Sequence, residues 1–408
     1  MHLYVVPLIF VLIGLALYTI LAGADFGAGI WQLAAGRGAH AERIRDHTHE
    51  AVGPVWEANH VWLIFVLTVT WTAYPTAFGS IASTLSVALF IAGLGIICRG
   101  AAYALRAGTR TPRELRVIDT VFAVSSILTP FALGAAVGGI AAGRVPVGNA
   151  AGDLFSSWLN PTSVMIGAIA VSSCAYLAAV FLSADAVRLG EADLAQAFRL
   201  RALAVGVISG GLAIAGLIVL HADVPHLYHR LVTGPGLPGL IVSVLAGLGT
   251  LALVLGRRVE LARYCGALAV AAIVAGWALA QQPTFLPGLT IKQAAAPHDT
   301  LVTVVVAVIA GGAILFPSLA VLFRLALGGG LGYVQPAPAG AGAPIQAIIS
   351  AAAPGLLGRC AVACFLGGIG FLTIADAGWA HAIGVFCLAG FVVIGFAAVR
   401  PDALGAAP

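Results

Sequence analysis

Long apolar runs, separated by connections that alternate in charge, constrain this chain more than any other feature. Eleven such runs are read near residues 5–33, 55–74, 78–98, 117–142, 161–184, 202–222, 238–256, 264–280, 300–323, 355–375 and 379–399. Each is close to the roughly 20 residues that a helix needs to cross a bilayer. The arginines then set the orientation. Of the 20 basic residues, 17 lie in the odd-numbered connections or after the last run. The even-numbered connections hold only Arg144, Arg230 and Lys292. By the positive-inside rule, this alternation predicts an N-terminus outside the cell and a cytoplasmic C-terminus. With 61% hydrophobic and 9% charged residues, a soluble domain is excluded. The first run lacks a basic flank and is too long for a cleavable signal peptide, so a multi-pass protein of the cell membrane is expected.

Against that apolar background, the stretch Pro54-Val55-Trp56-Glu57-Ala58-Asn59-His60-Val61-Trp62 stands out. It puts a carboxylate, an amide and an imidazole into the first turns of the second span. An ionisable group at the bilayer centre costs about 2.5–3.5 kcal/mol on insertion scales, so such groups usually have a partner or a task. Pro54 suits a helix start, and Glu57 would then sit near the positive end of the helix dipole. Trp56, Glu57 and His60 share a face at helical spacing, with Asn59 pointing elsewhere. A capping cluster at the water interface explains the same pattern. Asp25 lies toward the inner end of the first span, within Gly23-Ala24-Asp25-Phe26-Gly27-Ala28-Gly29. The alternation of spans places both carboxylates in the cytoplasmic half of the membrane. The surrounding glycines have the spacing that lets helix backbones approach closely, and close packing is their first explanation.

Ile20–Asp25 is faintly echoed by Val180–Asp185 four spans later, as two four-helix units built on one plan would give. Residues 325–353 are rich in Gly, Pro and Ala and read as a flexible linker. Residues 354–408 then form an appended hairpin behind a nine-helix domain over 1–324. The six cysteines include no CxxC pair and read as packing residues. Haem iron is usually held by His, Met, Cys or Tyr. Only His60 and His381 lie plausibly within spans; His40, His47 and His49 read as inner-loop residues, and Met165 is the one internal methionine. Haem or metal ligation by this chain itself is therefore not expected. Acids near one membrane face admit a proton relay, a cation site in a transporter, or structural hydrogen bonds. Transporter sites favour broken helices at mid-membrane, whereas these acids cluster near the cytoplasmic surface.

Several motifs together resemble subunit II of the cytochrome bd-type quinol oxidases. Gly23–Gly29 is similar to that family's Gly-Phe-Asp-Phe/Met-Gly-Val-Gly. Gly53–Ile64 is similar to its Pro-x-Trp-Asp-Gly-Asn-Glu/Gln-Val-Trp-Leu-Ile. Trp71-Thr72-Ala73-Tyr74-Pro75 and Leu159-Asn160-Pro161 resemble two further family runs. The likeness covers about residues 1–325 and is strongest over the first hundred.

The resemblance implies an all-α membrane fold of two four-helix bundles plus a peripheral helix, to which the hairpin would bring the total to about 11 transmembrane helices. It implies a heterodimer with a subunit I that holds b-type and d-type haems, contact with membrane lipid and quinone, and room for a small accessory subunit. No nucleic-acid partner is indicated. The implied activity is quinol oxidation coupled to reduction of dioxygen to water in a respiratory chain, with protons taken from the cytoplasm. Carried over residue by residue, the proton-access path falls on Trp56 and Glu57, with Asn59 alongside and Asp25 nearby. The sequence departs from the family where Glu57 replaces an Asp, Ala58 a Gly and His60 a Glu/Gln. A proton- or cation-coupled transporter and a purely structural scaffold subunit are the alternative readings.

Overall fold

The computed structural model describes residues 2–36, 38–106, 111–327, 356–373 and 378–398. After a single 3-10 turn at Leu3–Val5, the helices are α1 (Val6–Leu33), α2 (Ala39–Ala73), α3 (Pro75–Thr84), α4 (Ser86–Arg106), α5 (Pro112–Ala141), α6 (Pro161–Arg188) and α7 (Ala192–Asp223). They are followed by α8 (Pro225–Val232), α9 (Leu237–Leu255) and α10 (Val259–Gln281). A small antiparallel hairpin, β1 (Thr284–Leu286) and β2 (Leu289–Thr290), leads through α11 (Ile291–Ala294) into α12 (His298–Leu327). The chain divides into two compact units, residues 1–317 and 318–408. The second unit contains α13 (Leu356–Thr373) and α14 (Gly378–Ala398). These two pack with the Phe365 and Phe391 rings 5.0 Å apart and with Gly368 too close to Leu388 to admit a methyl group.

Proline starts many of these helices. Pro7, Pro75, Pro112, Pro161, Pro225 and Pro238 occupy first-turn positions, where the missing N–H has no intrahelical partner to lose. Thr111 and Glu114 close a capping box on α5, and the Asn160 side chain accepts from the Ser163 N–H on α6. Among the described residues, eight helices are long and apolar enough to cross a membrane.

Three expectations from the sequence need correction. The second span is the apolar part of a longer helix: α2 begins at Ala39 and becomes apolar only over Asn59–Ala73. His40, His47 and His49 therefore belong to this helix rather than to a loop, and His47 is buried with its Nε2 at 3.2 Å from the Leu182 carbonyl. The third span starts at Ser86, not 78, because Pro75–Thr84 forms a separate short helix. Residues 325–327, read as linker, continue α12; residues 328–353 lie outside the described residues.

The break between α2 and α3 has a counterpart later in the chain. Tyr74 leaves the helix at φ −138°, ψ 60° before Pro75, and Val224 does so at φ −136°, ψ 65° before Pro225. In both, a long helix is followed by a short one that opens on proline. A residue before proline is pushed out of the α region, so the same dipeptide logic gives the same corner twice.

Alanine and glycine allow close packing of the helices. One buried cluster joins Ala28, Trp31, Ile44, Ala178, Leu182, Phe198 and Ala262. Another joins Tyr74, Leu85, Ala88, Ala135, Val145, Trp158 and Leu286. α1 and α6 touch at Gly27, where any Cβ would overlap the Cys174 carbonyl. The glycines around Asp25 are thus packing residues, as their spacing suggested.

Candidate functional site

α1 is apolar and glycine-rich around Asp25, so its neighbours come close enough to bury the carboxylate. Asp25 is 1% exposed, and the side chain facing it from α4 is Arg99, at 0%. The Arg99 Nη2 donates to the Asp25 Oδ1 and, at 2.8 Å, to the Asp25 carbonyl. Its Nη1 donates to the Ser126 hydroxyl on α5. The guanidinium also lies over the Phe122 ring, 4.0 Å from its centroid, and 5.2 Å from that of Phe26. Cation–π contacts of this kind gain strength when desolvated. Gly29 makes the approach possible, since a Cβ there would collide with Ser126 and stand 2.9 Å from the Arg99 Nη1.

Arg99 is the functional residue that sequence reasoning missed. It follows Leu94-Gly95-Ile96-Ile97-Cys98 and reads as the first charge of a loop. It was accordingly counted among the 17 topological arginines, but it belongs to the helix interior. The signal that could have found it is the resumption of small and apolar residues at Ala101-Ala102-Tyr103-Ala104-Leu105, together with the need of a buried Asp25 for a counter-ion.

Of the motif on α2, Asn59 is fully buried. Trp62 and Leu63, one turn further along the same face, pack against the cluster of Tyr18, Ala22, Phe26 and Cys174. The side chains of Trp56 and Glu57 lie outside the described residues; their backbone belongs to the unbroken α2. The echo at Asp185 differs in kind. It is only partly buried and pairs with Arg188 three residues on, so its charge is balanced within its own helix.

Other ion pairs sit at the ends of the helices. Arg43 holds Glu191 at 2.5 Å, Arg106 pairs with Asp119, and Arg144 reaches Asp223 at 3.0 Å while Thr162 donates to the same carboxylate. Asp153, in the connection before α6, accepts from the N–H groups of Phe155 and Ser156 and from the Ser156 hydroxyl. Those donors hold its carboxyl below the ordinary carboxylate range.

The buried imidazole of His47 is engaged with the Leu182 carbonyl, and its ring is tilted against Phe198 with centroids 5.7 Å apart. No group of three or more His, Cys, Asp or Glu side chains converges among the described residues.

Comparison with known proteins gives this architecture relatives. Residues 3–326 match the family model for cytochrome bd terminal oxidase subunit II. A Bacillus subtilis (strain 168) cytochrome bd ubiquinol oxidase subunit 2 is 30% identical over 114 residues, 28% of this chain and 33% of that protein. A second protein of that organism, provisionally named cytochrome bd menaquinol oxidase subunit II, is 22% identical over 218 residues. That alignment covers 52% of this chain and 61% of the relative. The chain thus spans less than two thirds of either curated relative. Among solved structures, a chain of the bd oxidase from Geobacillus thermodenitrificans superposes with a TM-score of 0.67 at 25% identity, over 80% of this chain and 99% of that one. The chain belongs to the cytochrome bd terminal oxidase subunit II family.

Proposed function

We propose that this chain is subunit II of a bd-type quinol:dioxygen oxidoreductase of the prokaryotic cell membrane. The observation that carries the reading is the family match over residues 3–326. In this reading a partner subunit I holds the b-type and d-type haems and the quinol site. This chain supports that partner and contributes a proton-access path opening on the cytoplasm. The termini follow the arginine pattern, with the N-terminus outside. The repeated proline corner supports two four-helix bundles, α1, α2, α4 and α5 in one and α6, α7, α9 and α10 in the other, with α12 peripheral. The hairpin of α13 and α14 brings the count to eleven, joined through a linker over 328–353.

The path is assigned to Glu57, Trp56, Asn59 and Asp25, with a division of labour. Asp25 is held by the Arg99 guanidinium, which donates once to its carboxylate and once to its backbone carbonyl, and both side chains are buried. A carboxylate held in this way anchors rather than carries. Glu57 is the group left to take up and release a proton, with Trp56 beside it and the Asn59 amide orienting what passes. The chemistry of electron transfer and dioxygen reduction belongs to the haems of subunit I when they are bound there.

The test has two parts. An optical redox difference spectrum of the complex purified through a tag on this chain should show haem bands; a colourless preparation of the folded chain overturns the oxidase reading. Glu57→Gln keeps the shape of the side chain while removing its titration. Slower dioxygen reduction at unchanged haem content is expected, by 10-fold or more if Glu57 acts in general acid–base fashion, which typically contributes about 10²–10⁴-fold. Normal turnover refutes the relay, and loss of assembly rather than of rate points to a scaffold.

A further inference from the structure

The ion pair of Asp25 and Arg99 leaves part of its hydrogen-bonding capacity unused, and so do its neighbours. Among the described residues, the Asp25 Oδ2, the Arg99 Nε, both amide atoms of Asn59, and the Tyr18 and Thr129 hydroxyls are buried without a protein partner. These groups come from all four of α1, α2, α4 and α5. Tyr18 is two turns from Asp25 on the same face and shares a buried cluster with Phe26, whose ring lies 5.2 Å from the Arg99 guanidinium. Thr129 is one turn from Ser126 and is pressed against Gly95, one turn from Arg99. Asn59 shares the face on which Trp62 and Leu63 pack beside Tyr18 and Phe26.

Buried polar groups in folded proteins nearly always find a partner, and where protein supplies none, ordered water does. The chemistry of these six atoms narrows what can bind. The carboxylate and guanidinium cancel, so a cation would meet Arg99 and an anion would meet Asp25. The helices around them are too close for anything large: a single methyl on Gly29 or Gly95 would collide with Ser126 or Thr129. What fits is neutral, small, and both donor and acceptor.

We propose that Tyr18, Asp25, Asn59, Arg99, Ser126 and Thr129 enclose a hydration site inside the α1, α2, α4 and α5 helices, with Arg99 as its positioning residue. Six unpartnered atoms need about two or three waters, each making 2–4 hydrogen bonds. The site stands on packing and polarity alone. Its use as an inner station of the proton-access path rests on the oxidase reading.

Radiolytic hydroxyl labelling of the purified complex tests it, because bound water converts to hydroxyl radical where it sits and marks the adjacent ring. Tyr18 and the Phe26 and Phe122 rings should label at least 5-fold faster than Tyr74 and Phe198, equally buried aromatics away from the site. In the paired variant Asp25→Leu/Arg99→Met, and more mildly in Thr129→Val, that excess should fall toward the controls. Labelling of Tyr18, Phe26 and Phe122 no faster than the controls in the native complex overturns the proposal. So does a cryo-EM map of resolution sufficient to show water elsewhere in the protein but none within hydrogen-bond distance of Asn59 and Asp25. A colourless complex with fast Tyr18 labelling would remove the oxidase reading and leave the hydration site standing.

Discussion

Removing one partner of the Asp25–Arg99 pair should cost far more than removing both. Arg99→Met deletes the charge while keeping a long apolar side chain among Phe26 and Phe122. Asp25 is then a buried carboxylate, 1% exposed, with no cation facing it. Breaking a buried pair in this way costs about 3–5 kcal/mol, whereas replacing the whole pair with apolar residues is often neutral or stabilising. Asp25→Leu alone strands Arg99 in the same manner, with only Ser126 and the Asp25 carbonyl left as acceptors. In the double variant no charge remains, and the Ser126 hydroxyl retains its bond to the Phe122 carbonyl at 2.6 Å. The unfolding entropy scales with length, so a chain of 408 residues shifts by about 1.2 °C per kcal/mol, and each single variant should lose roughly 3–6 °C in unfolding midpoint. The double variant should return to within about 1 °C of the native chain. Midpoints must be compared at one scan rate in one detergent, because unfolding of such proteins is commonly irreversible. Near-equal stability of all four proteins would refute the reasoning, as would a double variant that simply adds the two losses, which is the behaviour of sites that do not interact.

Further outcomes follow from packing and from charge. Gly27→Ala should destabilise the contact of α1 with α6 by about 1–3 kcal/mol or more, since the new methyl meets the Cys174 backbone. Gly93→Ala, where nothing lies within 4 Å, should be neutral or stabilise by about 0.5–1 kcal/mol; thermal midpoints of the pair decide. For Asp153 the folded carboxyl titrates below its unfolded value of about 3.9, because N–H donors favour the anion. Its stabilising effect is therefore complete above that unfolded value and is lost as pH falls through the lower folded one. Unfolding midpoints followed from pH 6 to pH 3 should decline less in Asp153→Asn, and identical profiles would discard the assignment.

How far the fold could be read in advance depended on what hydropathy can and cannot see. Spans and connections were legible because apolar length and arginine position are one-dimensional properties. The helix that α3 forms was not, since residues 75–98 carry no charge and the break at Leu85 is marked only by Ser83, Thr84 and Ser86, which a membrane helix also accepts. The corner at Tyr74-Pro75 is readable once Val224-Pro225 is set beside it: in each case a long helix ends two residues before a proline and a short helix, of 10 or 8 residues, follows. The acid of the first span was legible as a costly group. Its counter-ion was not, because Arg99 sits where the positive-inside rule expects a loop arginine. A rule that counts charges per connection assigns that residue to water. Only the small and apolar residues on both sides of it, and a carboxylate elsewhere in want of a partner, argue that it stays in the helix.

That difference bears on the site itself. A lone intramembrane carboxylate invites a role as proton carrier, and Asp25 was read in that way. With Arg99 against it, the pair adds no net charge to the bundle, and moving a proton onto Asp25 would leave a buried guanidinium unbalanced. In the proposed path the titrating role falls to Glu57, with Asp25 as the anchor. If the carrier were Asp25 after all, Asp25→Asn would abolish proton-coupled turnover while Arg99→Lys, which keeps a cation, would leave it nearly intact. If Asp25 is the anchor, the two variants should weaken stability and rate together, and the pH dependence of turnover should follow the residue at position 57.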